Sequence, residues 1–339
     1  MTEVENNDIA LAVKGLHVGY QLKRENLVVL RGLNLDLKHG ELVCFMGPNG
    51  VGKSTLLRTI AGVQQPLSGT VEIEEKPLKN FSAAELATKI SLVLTDRINA
   101  GNMTARELIG LGRYPYLNWS VKFKDDDLIK IEQSIALSEV GAYAHKKIYE
   151  LSDGQMQKVM IARALCQDTS ILILDEPTAH LDLNNRVAII NLLKNLTRQT
   201  GKAVLMATHE LDLALQAADK LWLAGFNVPV VSGFPEDLVL NGAIDRVFEL
   251  KGFDLKTGQL EKKSLGKKVA LKGSGHEYLW TKNALERNGY EVSDEADYRI
   301  HILTSENTIS WEIESEGVVA TNTLEDLVSY LNNEIVEVV

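Results

Sequence analysis

The segment GPNGVGKST at residues 47–55 sets glycines, a lysine and two hydroxyls in the spacing G-x-x-x-x-G-K-[ST]. Such a pattern wraps a polyphosphate. Backbone N–H groups must close around phosphate oxygens, and Gly47, Gly50 and Gly52 allow this where a β-carbon would intrude. Pro48, Asn49 and Val51 complete the loop. Lys53 adds positive charge at the β/γ oxygens, Ser54 offers a hydroxyl to Mg²⁺, and Thr55 closes the motif. LVCFM (42–46) precedes the loop as a strand and LLRTIAGV follows with helical spacing, so a helix N-terminus faces the phosphates. A chance match in a chain this long arises roughly once in a hundred sequences, and the strand–loop–helix context lowers that further. The segment reads as a nucleotide site.

Two further strand-like runs end in groups capable of chemistry. ILILDEPT (171–178) puts two carboxylates at a strand terminus, a crowding of charge that is costly unless a cation lies between them and the phosphates. Asp175 is the expected Mg²⁺ partner and Glu176 the expected general base orienting the attacking water. Taken alone, the same letters describe an acidic turn closed by Pro177. AVLMAT (203–208) leads into His209, which could hydrogen-bond a γ-phosphate oxygen and the water. A lone histidine at a strand end more often serves packing, but this one falls beside the other catalytic candidates.

LSDGQMQKVMIARAL (151–165) opens an amphipathic helix with a capping box, Ser152 as N-cap and Gln155 three residues on. It also has the makings of an anion site: a helix N-terminus, a hydroxyl, and Gly154 for close backbone approach. A second phosphate-binding element beside a single phosphate loop calls for a second chain.

These residues need a scaffold that presents them together. LVCFM, ILILD and AVLMAT are almost continuously apolar, as befits central strands buried on both faces, and they alternate with helical patterns. In open α/β sheets ligands bind beyond the carboxyl ends of the strands, so Lys53, Asp175, Glu176 and His209 are expected on one edge. A helical insertion spans about 96–166. Residues 1–250 form the first predicted domain, the Gly- and Lys-rich 251–264 a linker, and 265–339 a small α/β domain. That last domain shows strands at KVALKG, DYRIHILT and TISWEIE and helices over about 277–288 and 323–331. Its His276 and His301 are isolated, and Trp280 and Trp311 are expected in its core. It reads as a regulatory domain or as a dimerisation strap.

At 339 residues the chain is long enough for two domains. A formal net charge of −10 argues against a nucleic-acid partner. No run approaches the roughly 18 apolar residues that cross a bilayer, and the acidic Met1–Asp8 is neither a signal nor a transit peptide pattern. A membrane role would therefore need docking on a separate membrane subunit. Cys44 and Cys166, each in an apolar stretch, read as small buried hydrophobes rather than a disulfide, which fits a reducing cytosol.

GPNGVGKST, LSDGQ, ILILDEPT, AHLD (179–182) and ATH (207–209) together resemble, in order and spacing, the ATPase subunits of ABC transporters over about residues 8–250. The resemblance implies a P-loop ATPase with a mostly parallel central sheet, an antiparallel β edge and a helical subdomain. It further implies ATP with Mg²⁺, and a head-to-tail homodimer in which Ser152, Gly154 and Gln155 of one chain serve the partner's nucleotide. Asp182 would lie in the loop coupling the two sites, and Tyr20 would stack on adenine, a role otherwise replaced by simple packing.

ELIGLGRYPYLNW (107–119) and ATHELDLALQAADKLWLA (207–224) are most similar to importers of iron–siderophores, haem and cobalamin. That implies integral-membrane permease subunits, with this chain peripheral at the cytoplasmic face of the inner membrane, and indirectly a periplasmic binding protein. Tyr114, Tyr116 and Trp119 would then face the permease; the alternative is that they pack the loop. An exporter subunit or a soluble non-transport ABC ATPase remains the alternative function. Two positions depart from the family. Thr95 stands where a Mg²⁺-contacting glutamine is usual, with Asp96 beside it as a further oxygen donor. Asp153 replaces the signature glycine.

Overall fold

Alternating and continuous apolar runs sort the first part of the chain into two kinds of sheet. The computed structural model describes residues 8–23, 25–94, 101–117, 122–249, 253–255, 259–260, 267–296, 298–305, 308–314 and 317–336. Thr95, Asp96 and Trp119 lie outside them. Two compact units result, Met1–Glu249 and Leu250–Val339.

In the first unit, β1 (Ile9–Gln21) and β2 (Asn26–Lys38) pair antiparallel, with buried and exposed positions interleaved. The strand β3 (Leu42–Met46) is buried at every residue. After helix α1 (Lys53–Ile60), β4 (Ser68–Ile73) and β5 (Lys76–Pro77) complete a four-stranded antiparallel sheet in the order β2-β1-β4-β5. A short helix α2 (Ala83–Leu86) leads to β6 (Ile90–Val93).

The second sheet runs β10-β9-β3-β8-β7-β6, adding β7 (Ile171–Asp175), β8 (Ala203–Ala207), β9 (Lys220–Gly225) and β10 (Val228–Gly233). Its neighbours from β9 to β6 are parallel, and β10 is an antiparallel edge. Leu11, Leu16, Phe45, Leu56, Ile73 and Trp222 belong to one apolar core shared by both sheets and α1. Phe45 and Trp222 meet edge to face, with centroids 6.3 Å apart.

The insertion is helical: α3 (Ala105–Gly110), a 3₁₀ turn Leu111–Tyr116, α4 (Asp125–Leu137) and α5 (Asp153–Cys166). A buried guanidinium joins these pieces. Arg113 Nε donates to Asp127 Oδ1 at 2.9 Å and its Nη1 to the Cys166 carbonyl at 2.9 Å. Burial would raise the Asp127 pKa, but the Lys124 N–H and Arg113 outweigh it and hold the carboxyl below its ordinary range. Cys44 and Cys166 are free and buried, their pKa values raised by burial to about 12 and about 11. Helix α6 (Leu183–Thr200) precedes β8, and α7 (Leu211–Ala217) follows it. The unit ends with α8 (Pro235–Leu240) and α9 (Ala243–Phe248).

The second unit begins with a two-residue antiparallel pair, β11 (Phe253–Asp254) and β12 (Gln259–Leu260), inside the segment expected as linker. Its sheet runs β14-β13-β15-β16-β17. The strands β13 (Lys267–Lys272), β15 (Tyr298–Ser305) and β16 (Thr308–Glu314) fall on the expected runs. The short β14 (Tyr290–Val292) and β17 (Val318–Thr321) add two strands with too few residues to show a period. Helices α10 (Gly275–Arg287) and α11 (Leu324–Val336) close a core around Ile300, Trp311, Leu285 and Leu327.

Trp280 corrects the expectation: it is 65% exposed. Helix α10 buries Thr281 and Leu285, four residues apart on one face, and Trp280 falls off that face. Trp311 takes the core position instead, donating its indole N–H to Thr281 Oγ1 at 2.8 Å.

Candidate active site

Three parallel strands end in register. Phe45 pairs with Ala207, and Ala207 with Asp175, so the carboxyl ends of β3, β8 and β7 form one row. Gly47, His209 and Glu176 each lie within two residues of that row. Backbone bonds lock it: Thr208 N–H donates to the Phe45 carbonyl at 3.1 Å and Glu176 N–H to the Ala207 carbonyl at 3.0 Å.

From β3 the loop turns at Gly47, whose φ is 156° and where a β-carbon would stand 2.2 Å from the Ala224 carbonyl oxygen. Pro48 is half-buried, Asn49 and Gly50 are exposed, and Val51 packs into the core. Gly52 caps α1 with φ 112°. Lys53, nearly fully buried, donates its ammonium to the Gly47 carbonyl at 2.8 Å and the Pro48 carbonyl at 3.4 Å. Burial lowers its pKa, against the opposing pull of Glu176 and Asp175. One cation therefore sits between its own loop and both carboxylates.

Asp175 is buried at the end of β7 and accepts a hydrogen bond from Ser54. Burial raises its pKa; Ser54 opposes that, and the Glu176 charge adds to it. A carboxylate held above its ordinary range beside a hydroxyl is an environment that a cation would relieve. Among the described residues no cluster of three or more His, Cys, Asp or Glu could hold a metal alone. Two oxygen donors beside a phosphate loop fit Mg²⁺, which takes one or two protein oxygens and fills its remaining positions with phosphate and water.

Glu176 follows with a left-handed φ of 49°. Its Oε2 lies 3.8 Å from His209 Nδ1, and His209 Nε2 lies 3.6 Å from Glu210 Oε1. The histidine is half-exposed between two acids. Glu210 is paired in turn with Arg186 at 2.9 Å, and Arg186 Nε donates to the Leu181 carbonyl at 2.7 Å. Neither Glu210 nor Arg186 was expected from the sequence. The signals available were adjacency to His209 and the i,i+4 step from Asp182 to Arg186 on one helix face.

Ser152 caps α5 as expected, accepting from the Gln155 N–H at 3.3 Å while Gln155 Oε1 accepts from the Ser152 N–H at 3.1 Å. Ser152 and Asp153 are exposed, and Gly154 is buried. Asp182 caps α6, accepting from the Asn185 N–H at 2.8 Å and from the Asn185 side chain at 2.9 Å. The Asp182 segment meets the strand ends through the Ala179 N–H, which donates to the Glu176 carbonyl at 3.1 Å, and through Arg186.

Tyr20 is 45% exposed, and its hydroxyl shares a 3.2 Å hydrogen bond with Thr55 at the root of α1. Tyr114 is exposed on the helical insertion. Tyr116 instead anchors the 3₁₀ turn, donating to the Gln167 carbonyl at 2.9 Å with the Arg113 guanidinium 4.0 Å from its ring centre. No described helix is long and apolar enough to cross a membrane.

Comparison with known proteins places this geometry. Residues 30–179 match the family described as ABC transporter, and residues 266–332 match the iron ABC transporter C-terminal domain. The second match covers the unit to which sequence reading attached no family. An uncharacterised ABC transporter ATP-binding protein of Methanocaldococcus jannaschii, MJ0873, is 35% identical over 75% of this chain and 90% of its own length. The achromobactin transport ATP-binding protein CbrD of Dickeya dadantii is 32% identical, covering 71% and 88%. The hemin import ATP-binding protein HmuV of Rhodococcus jostii is 32% identical, covering 68% and 78%.

Among solved structures, a nucleotide-free ATP-binding cassette from an ABC transporter superposes with a TM-score of 0.62 at 27% identity, covering 71% of this chain and 97% of its own. The cassette MJ0796, seen as a dimer in a post-hydrolysis state with ADP and Pi, superposes at 0.55 with 30% identity, covering 63% and 94%. The chain therefore belongs to the ATP-binding proteins of ABC transporters and is an ATP hydrolase.

Proposed function

We propose that this chain energises the import of an iron chelate of the siderophore or haem class. The observation carrying this reading is the second unit, whose residues 266–332 match the iron ABC transporter C-terminal domain. Relatives named for achromobactin, ferric enterobactin and hemin support it. In this reading two copies sandwich two ATP molecules beneath integral-membrane permease subunits, on the cytoplasmic face of the inner membrane. A periplasmic binding protein delivers the chelate to the permease. The exposed Tyr114 is a natural contact for a permease, whereas Tyr116 already serves the helical subdomain.

Within each site the loop from Gly47 to Thr55 holds the phosphates, and the Lys53 ammonium, now bound by its own carbonyls, exchanges them for β/γ oxygens. Ser54 and Asp175 would hold Mg²⁺, which would supply charge neutralisation to the phosphates. Glu176 takes a proton from the water that attacks the γ-phosphorus, the bond from that phosphorus to the β–γ bridging oxygen breaks and ADP leaves, and His209 donates to a γ-oxygen. Tyr20 offers its exposed ring to adenine. Ser152, Gly154 and Gln155 complete the γ-phosphate shell of the other copy, and Asp182 faces that copy at the interface.

The test is genetic and chemical. Deleting the gene in its host should abolish uptake of one radiolabelled ferric siderophore or haemin. The wild-type chain should restore uptake, while Glu176→Gln, expected to lower ATP hydrolysis by about 10²–10⁴-fold, should not. Unchanged uptake of every iron chelate, with altered efflux of some solute, would overturn the import reading.

A further inference from the structure

The half-exposed ring of His209 has carboxylates on both sides, Glu176 at 3.8 Å and Glu210 at 3.6 Å. Both separations exceed hydrogen-bonding distance, so neither acid fixes the ring by itself. What fixes Glu210 is Arg186. The guanidinium reaches both carboxylate oxygens, Oε1 at 2.9 Å and Oε2 at 3.0 Å. The Glu210 side chain is only 16% exposed and that of Arg186 35%, so the pair is less screened than a surface ion pair. The same guanidinium donates through Nε to the Leu181 carbonyl at 2.7 Å. A planar fork with donors in fixed directions cannot follow Leu181 without carrying Glu210 along.

The other side of this turn reaches the signature helix. Asn185, one residue before Arg186, has its amide against Gly154 and its Nδ2 on Asp182 Oδ2. One turn of α6 thus touches the signature helix, the AHLD segment and the acid that flanks the histidine.

We propose that Arg186 is a positioning residue that ties His209 to the AHLD segment, so that displacement of Leu181 and Asp182 by a second copy of the chain is felt at this copy's catalytic edge. The inference rests on the two-copy arrangement proposed above. Its physical warrant is a path of neighbours: hydrogen bonds join the Leu181 carbonyl, Arg186 and Glu210, and His209 stands 3.6 Å from Glu210 and 3.8 Å from Glu176. Arg186 acts through Glu210 and touches no reacting atom.

Arg186→Ala in the full chain should lower kcat about tenfold, leave the KM for ATP within about twofold, and bring the Hill coefficient for ATP to about 1. Glu210→Gln should show a similar loss, and the double variant about the same tenfold loss rather than a hundredfold one, because both remove one link. Arg186→Lys should recover only part, since an ammonium offers its donors from one atom and lacks the fixed spacing of Nε on Leu181 and Nη1 on Glu210. In the nucleotide-free chain the NMR resonance of the His209 ring, assigned with His209→Asn, should move in Arg186→Ala and Glu210→Gln. The melting midpoint should stay within about 2 °C.

An unmoved histidine resonance, additive losses, or unchanged kcat and Hill coefficient would overturn the role of Arg186. Hydrolysis that survives Glu176→Gln would instead sink the assignment of the site itself. Hydrolysis that needs Glu176 but ignores Arg186 leaves that assignment standing.

Discussion

Asn185 fills the space that a side chain at residue 154 would need: its Oδ1 lies 2.5 Å from where a β-carbon on Gly154 would stand. Gly154 has no left-handed φ, so the requirement is for room rather than backbone freedom. Asn185 cannot yield without cost, because its amide also binds Asp182 at 2.9 Å. Gly154→Ala should therefore displace the start of α6 and lower ATP turnover about tenfold. Adding Asn185→Ala should restore most of it, a non-additive pair measurable by steady-state ATPase assays. Equal turnover in Gly154→Ala and the double variant would show that the signature glycine is needed for the nucleotide alone.

Asp175 is predicted to trade stability for chemistry. Burial holds its folded pKa above the ordinary value, so as pH rises past the unfolded value the buried carboxyl costs the folded state free energy. Asp175→Asn should raise the melting midpoint of the nucleotide-free chain, by about 2–4 °C for each kcal/mol relieved. The same variant should lose ATP hydrolysis and the added stabilisation that Mg²⁺ gives with ATP. Calorimetry with and without Mg²⁺ checks both; a lowered midpoint without ligand contradicts the argument.

For Tyr20 the ring and the hydroxyl can be separated. Tyr20→Ala should raise the KM for ATP about tenfold with kcat retained, the size of one base–aromatic stack. Tyr20→Phe loses only the 3.2 Å bond to Thr55 and should stay within about threefold of wild type. If both variants bind ATP normally, as judged by titration, the exposed ring has another purpose.

The Arg113–Asp127 pair governs acid stability of the helical insertion. The folded pKa of Asp127 is depressed, so its contribution is complete above the unfolded value of about 3.9 and is lost as pH falls through the lower folded value. Arg113→Ala strands a buried carboxylate and should cost about 3–5 kcal/mol at neutral pH. Denaturant titrations at pH 7 and below pH 4 should show that gap narrowing in acid. A gap independent of pH would mean that packing, not charge, accounts for the loss.

Much of the first unit was legible because its central strands are almost continuously apolar, as strands buried on both faces are. Lys53, Asp175, Glu176 and His209 follow those strands in sequence, so finding the strands found the edge they share. What stayed hidden depends on contacts between distant segments. Arg186 and Glu210 are separated by a helix and a strand, and nothing local to either names the other. The packing reason for Gly154 lies on a different helix. In the second unit, β14 and β17 are too short for periodicity, and Trp280 shows that an aromatic residue's size does not tell which side of α10 it occupies.

Glu176, proposed as the base, sits in the left-handed region at φ 49°, a conformation that costs a residue with a β-carbon of order 1–3 kcal/mol. Its N–H is held there by the Ala207 carbonyl, which keeps the carboxylate over the row of strand ends. A glycine at this position would relax the backbone and harden the protein against heat while silencing it. Selection for thermal robustness alone would thus erode the enzyme at its working carboxylate first. A thermostability screen of this chain that ignores turnover should enrich Glu176→Gly, and any directed-evolution scheme must score activity in the same round.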